Sequence, residues 1–400
     1  MTNYTFEWWA MLEPMKYYDK DYDTLSDALK KKYDDMRYNE GNQFIASEKH
    51  DGEWTMFIKW NGEYLIRSRS ISKVTGKYGD KTQHLPHLVE EMKDWPDRSV
   101  VLAEVCWGEY GTVSTDVGTI LRCLPAKAVE RQKEKKLVAK IFDLLAWDDE
   151  LFINKPYWER KNKLLRTFSD WTIEDAFNMI MTQHFNSDYF QPTTFCPVNV
   201  TPAEFADEII AKGGEGCVIQ RRDYVYEPGK RSAWKTLKLK QRLPEMEFKV
   251  VASIPATKEY DGKYPESWPY WEVEDERYYP GGTDEFGKEW VVHCRVTKLM
   301  ENPTEDYKEH GRPVTKPYFY GWHMGVRFEC NGVMCDASSG LTDADREWLG
   351  TEEAQDIINN GQLYADIKAM QVASLGGLRH PVIKRLRIMD DAMLEKIEVE

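Results

Sequence analysis

Ser47-Glu48-Lys49-His50-Asp51-Gly52-Glu53 is the stretch on which the reading of this chain turns. A lysine beside an acid and a glycine, at a strand-to-loop junction, has the makings of a nucleophile. At average residue usage a Lys-x-Asp-Gly match arises by chance in about a tenth of chains this long. The surroundings must therefore decide.

Working outward, Trp54 to Trp60 and Tyr64 to Ser70 flank Asn61-Gly62, a dipeptide suited to the positive φ angles of a type I′ turn. This places Lys49 just before a hairpin. Residues 26–38 predict a short helix. Val100 to Val105 and Val138 to Leu145 read as buried strands, with a Lys-rich helical stretch from Ala126 to Lys136 between them. Cys217 to Gln220 and Leu237 to Leu239 read as two further short strands close to the site. A boundary falls near Leu243-Pro244, giving domains 1–242 and 243–400. Beyond it come strands and long turn-rich loops: Glu247 to Ser253, the acidic aromatic segment Tyr260 to Tyr279, Pro280-Gly281-Gly282, Trp290 to Val296 and Met324 to Cys330. Short strands so connected suggest a small barrel. No internal repeat, low-complexity tract or large N-terminal DNA-binding domain is expected.

Composition sets the outer limits. Four hundred residues with 42% hydrophobic content can build two or three cores of a soluble protein. Met1-Thr2-Asn3-Tyr4-Thr5 lacks the basic stretch and apolar run of a leader, and no apolar segment approaches the ~18 residues of a membrane span, so a cytoplasmic protein is expected. Seven cysteines without paired metal spacing fit a reducing compartment. Cys330 and Cys335 lie closest, but no histidine pair accompanies them at zinc spacing. A net charge of −14 argues against indiscriminate polyanion binding while allowing local basic patches. Lys127, Arg131, Lys133, Lys135 and Lys136 form one, read first as a solvated helix face; Arg379, Lys384, Arg385 and Arg387 form another.

Further short motifs follow Lys49 in order: Ser68-Arg69, Leu102-Ala103-Glu104-Val105, Ile141-Phe142-Asp143-Leu144-Leu145, Glu215-Gly216-Cys217-Val218-Ile219 and Lys238-Leu239-Lys240. In order and approximate spacing the series resembles the covalent nucleotidyltransferases, the family of ATP-dependent DNA ligases, RNA ligases and mRNA-capping enzymes. Arg379-His380-Pro381 and Ser339-Gly340-Leu341-Thr342-Asp343 resemble the DNA-ligase version, of the compact bacteriophage type. Six motifs in order carry what one cannot.

The resemblance implies an α+β fold: an adenylation domain of antiparallel sheets with flanking helices, then an oligonucleotide-binding-fold barrel. It also implies an enzyme that uses ATP and magnesium or another divalent cation to seal 3′-hydroxyl/5′-phosphate nicks in duplex DNA. Lys49 would accept AMP, with Lys238 and Lys240 at the α-phosphate and Glu104 and Glu215 near ribose or metal. Arg69 would contact ribose or a substrate phosphate, Phe142 would stack on adenine, and Glu48 and Asp51 would belong to the nucleotide pocket. Arg379, Lys384, Arg385 and Arg387 would contact pyrophosphate or DNA. A monomer is expected, in the host-cell cytoplasm if phage-encoded. An RNA ligase, or a nucleic-acid-binding relative without catalysis, are the alternatives.

The attack needs a neutral amine, and an unperturbed lysine of pKa ~10.4 is neutral only about one time in a thousand near pH 7.4. Lys49 is therefore expected to be activated by partial burial and by the neighbouring cations Lys238, Lys240 and a divalent metal. Three positions depart from the family pattern. Trp54 stands where many ligases have arginine, Ser47 stands where a carboxylate helps read adenine, and Asp390 does not complete the C-terminal Arg-x-Asp-Lys.

Overall fold

The computed structural model describes residues 8–71, 76–108, 114–169, 171–178, 186–240, 243–262, 265–372 and 376–389. Met1 to Thr5, the boundary residue 242 and Asp390, all used above, lie outside them. Two compact units divide the chain, Met1–Gln241 and Arg242–Glu400.

In the first unit, strands β1 (Phe44–Glu48), β2 (Glu53–Trp60), β3 (Glu63–Ile71), β4 (Ser99–Cys106), β5 (Val138–Trp147), β6 (Phe190–Pro192), β7 (Gly216–Arg221) and β8 (Thr236–Lys240) build two sheets. One has the order β1-β7-β8, antiparallel throughout; the other contains β3-β2-β4-β5, with β6 parallel to β5. Asn61 and Gly62 close the β2–β3 hairpin at φ 52° and 77°, the angles a type I′ turn demands. The valine run of β4 is buried on both faces. Val101, Ala103 and Val105 join Phe57, Ile141 and Phe190 on one side. Val100 and Leu102 join Met56, Ile58, Trp9, Leu12 and Met15 on the other. With both faces covered, the strand reads as a continuous apolar run rather than an alternation.

The stretch that follows β6 ties the sheets together. Residues 190–192 pair with β5; immediately afterwards the Thr194 carbonyl accepts from the Glu48 amide at 2.8 Å and Cys196 donates to the Ala46 carbonyl at 3.0 Å. Helix α1 (Asp27–Arg37) and the capped helix α3 (Pro202–Ala211) cover the smaller sheet through Tyr33, Met36, Phe205 and Ile209. Helix α2 (Tyr157–Phe168) is fixed by an ion pair with no solvent contact, in which Arg160 donates from Nε and Nη2 to the two Asp143 oxygens at 2.8 and 3.0 Å. The Lys-rich helix ends early, spanning only Pro125–Arg131. Buried Gln132 explains the stop: its amide donates to the carbonyls of His84 and Ala128 and accepts from the Leu137 amide, turning the chain into β5.

The second unit holds a five-stranded antiparallel sheet of β9 (Met246–Pro255), β12 (His323–Cys330), β13 (Val333–Ala337), β14 (Leu363–Lys368) and β15 (Val382–Ile388), in the order β13-β12-β9-β14-β15. Ser339, just past β13, bridges Val382 on β15, so the two edges meet around a core of Val250, Val326, Phe328, Leu363, Ile367 and Ile383.

Between β9 and β12 the expectation of short strands and long turn-rich loops holds only in part, since the segment Tyr260 to Tyr279 is strand from Tyr270 onward. Tyr270–Thr283 (β10) and Glu289–Glu301 (β11) instead form a long antiparallel ribbon. A bulge between Pro280 and Gly282 absorbs the residues that should have ended the strand. Cross-strand charges replace the usual strand-forming side chains, as with Lys298 on Asp275 at 3.0 Å and Arg295 on Glu276 at 3.6 Å.

Removing one partner of the α2 clamp strands the other charge in a dry interior. Arg160→Ala should therefore lower the unfolding free energy of the first unit by about 3–5 kcal/mol. Urea denaturation read by tryptophan fluorescence checks this, and a loss under about 1 kcal/mol would contradict it.

Candidate active site

Antiparallel register assembles the site. Glu48 opposes Cys217, and Lys240 opposes Gly216, so the end of β1, the start of β7 and the end of β8 coincide. Lys49, the first residue past β1, donates its amide to the Gly216 carbonyl at 2.8 Å. Its Nζ donates to Glu215 at 2.5 Å. Two glycines make these approaches possible. A Cβ on Gly216, at φ 126°, would stand 2.1 Å from the Leu239 carbonyl oxygen, and one on Gly52 would stand 2.2 Å from that of Val105.

The larger sheet supplies the facing wall. Glu104 opposes Trp54 across β2 and β4 and shares its parity with Leu102 and Val100, extending that face to the site. The N-terminal segment supplies the rim. Arg67, buried beneath it, donates to the carbonyls of Trp9 and Ala10 at 2.9 Å each and to that of Leu12, and its guanidinium lies 3.8 Å from the Tyr78 ring centre. Lys16 then pairs in parallel with Arg231, and Tyr18 with Leu237.

The resulting cleft encloses about 400 Å³ and is lined by Glu48, Lys49, Arg69, Glu104, Phe142 and Lys238 among the residues singled out in the sequence. Glu215 joins them through Lys49. Asp51 and Lys240 are not on the lining; Lys240 pairs with Asp19 at 2.9 Å. Sequence reasoning missed Lys16, Tyr17, Tyr157, Thr193 and Arg231 on the walls. None belongs to a local motif, because long-range pairing brings them in. Two buried atoms of the lining, Thr193 Oγ1 and His50 Nε2, have no partner among the described residues and are available to a ligand. Burial and the charges of Lys140 and Lys49 hold His50 well below the usual imidazole range, so its 3.4 Å contact with Glu48 is made by a neutral ring.

Electrostatics correct one expectation. Burial opposes charge on Lys49, but Glu215, with Glu104 and Asp51 behind it, outweighs burial and raises the amine above its ordinary value. Lys49 is thus held as an ammonium ion. The depressed lysine is Lys238, which burial, then Lys49, bring down to about 8. Burial pushes Glu104 up to about 7; Lys49 works against this, and the Glu215 and Asp51 charges add to it.

In the second unit, Arg385 donates twice to Asp366 Oδ2, at 3.0 and 2.9 Å, and Arg387 donates to Asp366 and Glu247. Both guanidinium charges are already balanced within the sheet. Lys384 is exposed on β15, and Arg379 lies in the short strand Leu378–Arg379.

The model of the ATP dependent DNA ligase domain matches residues 23–240. A DNA ligase of Thermococcus fumicolans is 24% identical over 217 residues, 53% of this chain and 35% of that protein. One of Thermococcus onnurineus is 25% identical over 209 residues, 51% of this chain and 33% of that protein. The chain thus spans about a third of the length of the curated relatives it matches. A Lig E DNA ligase structure superposes with a TM-score of 0.52 at 16% identity, covering 94% of this chain and 98% of that one, which extends the likeness of fold across both units.

Glu104 gives the site a pH signature. A carboxyl whose folded pKa is about 7, against an ordinary 4.5, contributes stability that is complete below 4.5 and is lost as pH rises through 7. Glu104→Gln should remove that loss, making the variant's unfolding free energy fall less than the parent's between pH 5 and pH 8. Parallel curves in urea titrations at both pH values would rule the assignment out.

Proposed function

The chain belongs to the ATP-dependent DNA ligase domain family, and from that premise we propose that it seals 3′-hydroxyl/5′-phosphate nicks in duplex DNA through a lysyl-AMP and then an adenylated DNA end. The observation that carries the reading is the convergence of Lys49, Glu215, Glu104 and Lys238 from four strand ends and edges around one cleft.

The chemistry follows from their placement. Lys49 must first lose a proton, and Glu215, 2.5 Å away, is placed to take it. The free amine then attacks the α-phosphorus of ATP, forming a P–N bond as the bond to the bridging oxygen breaks and pyrophosphate leaves. Lys238 lies on the same wall, where it can balance charge growing on the α-phosphate oxygens. Lys240 would act indirectly, holding Asp19 and with it the rim segment. Phe142 offers an aromatic face for the base. In the two later steps the 5′-phosphate displaces Lys49 from the α-phosphorus, and the 3′-hydroxyl then displaces AMP.

Among the described residues no cluster of three or more acidic, histidine or cysteine groups could hold a metal alone. Magnesium needs less from a protein, commonly one or two carboxylates with substrate phosphates and water completing the shell. Glu104 and Glu215 fit that demand: buried Glu104 feels the Glu215 charge, and both face the Lys49 amine. Bound there, the ion would supply positive charge to the phosphates.

For the second unit we propose an oligonucleotide-binding-fold barrel, supported by the five-stranded antiparallel sheet whose edges meet at Ser339 and Val382. Residues 1–242 would then form the adenylation domain and residues 243–400 the barrel of a monomeric enzyme. Arg379 and Lys384 are assigned to pyrophosphate or DNA phosphates, and Arg385 and Arg387 join them only by giving up bonds to Asp366 and Glu247.

The test is incubation with α-labelled ATP followed by a denaturing gel. The parent should carry label and Lys49→Ala none; label retained at parental level in the variant would refute the nucleophile assignment. Because carboxylates raise the pKa of Lys49, the parental adenylation rate should keep climbing from pH 7 to pH 9. Nicked DNA, nicked RNA and single-stranded RNA offered to the adenylated enzyme then discriminate DNA from RNA ligation.

A further inference from the structure

Trp54 and Arg67 are left without a part in the chemistry above, and they are neighbours. Met56 stands opposite Arg67 across β2 and β3, which puts Trp54 on the same face at the diagonal position. The Arg67 guanidinium lies 5.9 Å from the Trp54 ring centre. Arg67 is only 2% exposed, and its donors point away from the cleft, to the carbonyls of Trp9, Ala10 and Leu12.

The segment so held becomes a wall of the cleft two residues later, through Pro14, Met15, Lys16, Tyr17 and Asp19. Its far end is fixed separately. The Tyr18 amide donates to Thr236 Oγ1 at 3.3 Å, and the Lys238 amide donates to the Tyr18 carbonyl at 3.0 Å. In the middle, the Tyr226 hydroxyl accepts from the Met15 amide at 3.1 Å. At the near end the anchor is Arg67, whose planar fork of donors suits several carbonyls at once. Trp9 and Leu12 also pack into the core beside it, so the test must separate positioning from plain support of the fold. Trp54 itself lines the cleft and stands between that space and the guanidinium. An arginine at this position, as in many ligases, would set two like charges side by side. The departure at Trp54 and the buried Arg67 therefore belong together.

We propose that Arg67 is a positioning residue for adenylation: it ties residues 9–12 to the large sheet and so sets the wall that residues 14–19 present to the nucleotide, with Trp54 screening its charge from the cleft. The inference rests on reading the cleft as the adenylation site. Lys49, Glu104, Glu215 and Lys238 come from the strands and their ends, not from this segment, so a displaced wall weakens binding of the nucleotide more than the attack itself.

The experiment measures lysyl-AMP formation from α-labelled ATP on the full chain, for the parent, Arg67→Gln, Arg67→Lys and Trp54→Arg, and maps trypsin cleavage after Lys16 by mass spectrometry in the same samples. Arg67→Gln should raise the KM for ATP about tenfold or more while kcat stays within about threefold, the pattern of lost uniform binding. It should also open the Lys16 bond to trypsin below the melting temperature. Arg67→Lys, which keeps the charge and loses the fork, should fall between Arg67→Gln and the parent. Trp54→Arg should raise KM as well, although it installs the commoner residue. An unchanged KM in Arg67→Gln overturns the proposal, and so does a kcat that falls by the same factor as kcat/KM, which is what a general loss of folded protein produces. Faster adenylation by Trp54→Arg than by the parent overturns it too. Absence of a Lys49 adduct from the parent brings down the adenylation reading instead, while the trypsin map still reports whether Arg67 holds the segment.

Discussion

The hydrogen bond from the Lys49 amide to the Gly216 carbonyl is the pivot of the first unit. It extends the β1–β7 pairing by one residue beyond the strand, and so fixes where the Lys49 side chain starts relative to Glu215. Because side chains alternate along a strand, a slip of one position would turn every one of them to the opposite face. The pairing is protected by what it buries: Phe44 and Ala46 on β1, with Cys217 and Ile219 on β7, belong to one core and Ile45 to another, so any other register would exchange side chains between two differently packed cores. Gly216 and Gly52 then permit approaches that a side chain would block. The geometry of the cleft here is a by-product of hydrophobic register.

Charge around Lys49 is arranged for storage rather than for readiness. Glu215, Glu104 and Asp51 together outweigh burial and keep the amine protonated, while Glu104 shares the strain by holding its own proton to about pH 7. A buried cluster of this kind is tolerable because its charges nearly cancel. A triphosphate entering beside the lysine would add negative charge and favour the ammonium form further, so loss of its proton has to be driven by a base, and Glu215 is bonded to it.

Much of this was legible because the determinants are local. The Asn61-Gly62 turn, the apolar run of β4 and the lysine of the Lys-x-Asp-Gly motif each announce themselves within a few residues. The ordered motifs place Lys49, Glu104, Phe142 and Lys238 on one cleft without knowledge of the fold. What stayed hidden depends on contacts the sequence does not display. Lys16 and Arg231 meet through one parallel bridge; Lys240 turns to Asp19; Arg385 and Arg387 find Asp366 across a sheet. The length of the β10–β11 ribbon escaped for a different reason: Trp290 to Val296 marks only part of β11, while acidic residues and a Pro-Gly-Gly run disguise β10, which is held by cross-strand ion pairs and a bulge.

The order of assembly during synthesis follows from the same pairing. The β2–β3 hairpin can close as soon as it leaves the ribosome, but β1 has no partner strand in its sheet until Gly216 to Arg221 have been made. At about 5–20 residues per second, the roughly 170 residues from Lys49 to Arg221 take on the order of 10–30 s. Throughout that interval the Lys-x-Asp-Gly segment is a half-formed edge with apolar Phe44, Ile45 and Ala46 beside it, a template for pairing with any other nascent strand. A truncation before β7 would leave that edge permanently open, so fragments ending upstream of Gly216 should be clients for chaperones rather than smaller versions of the domain.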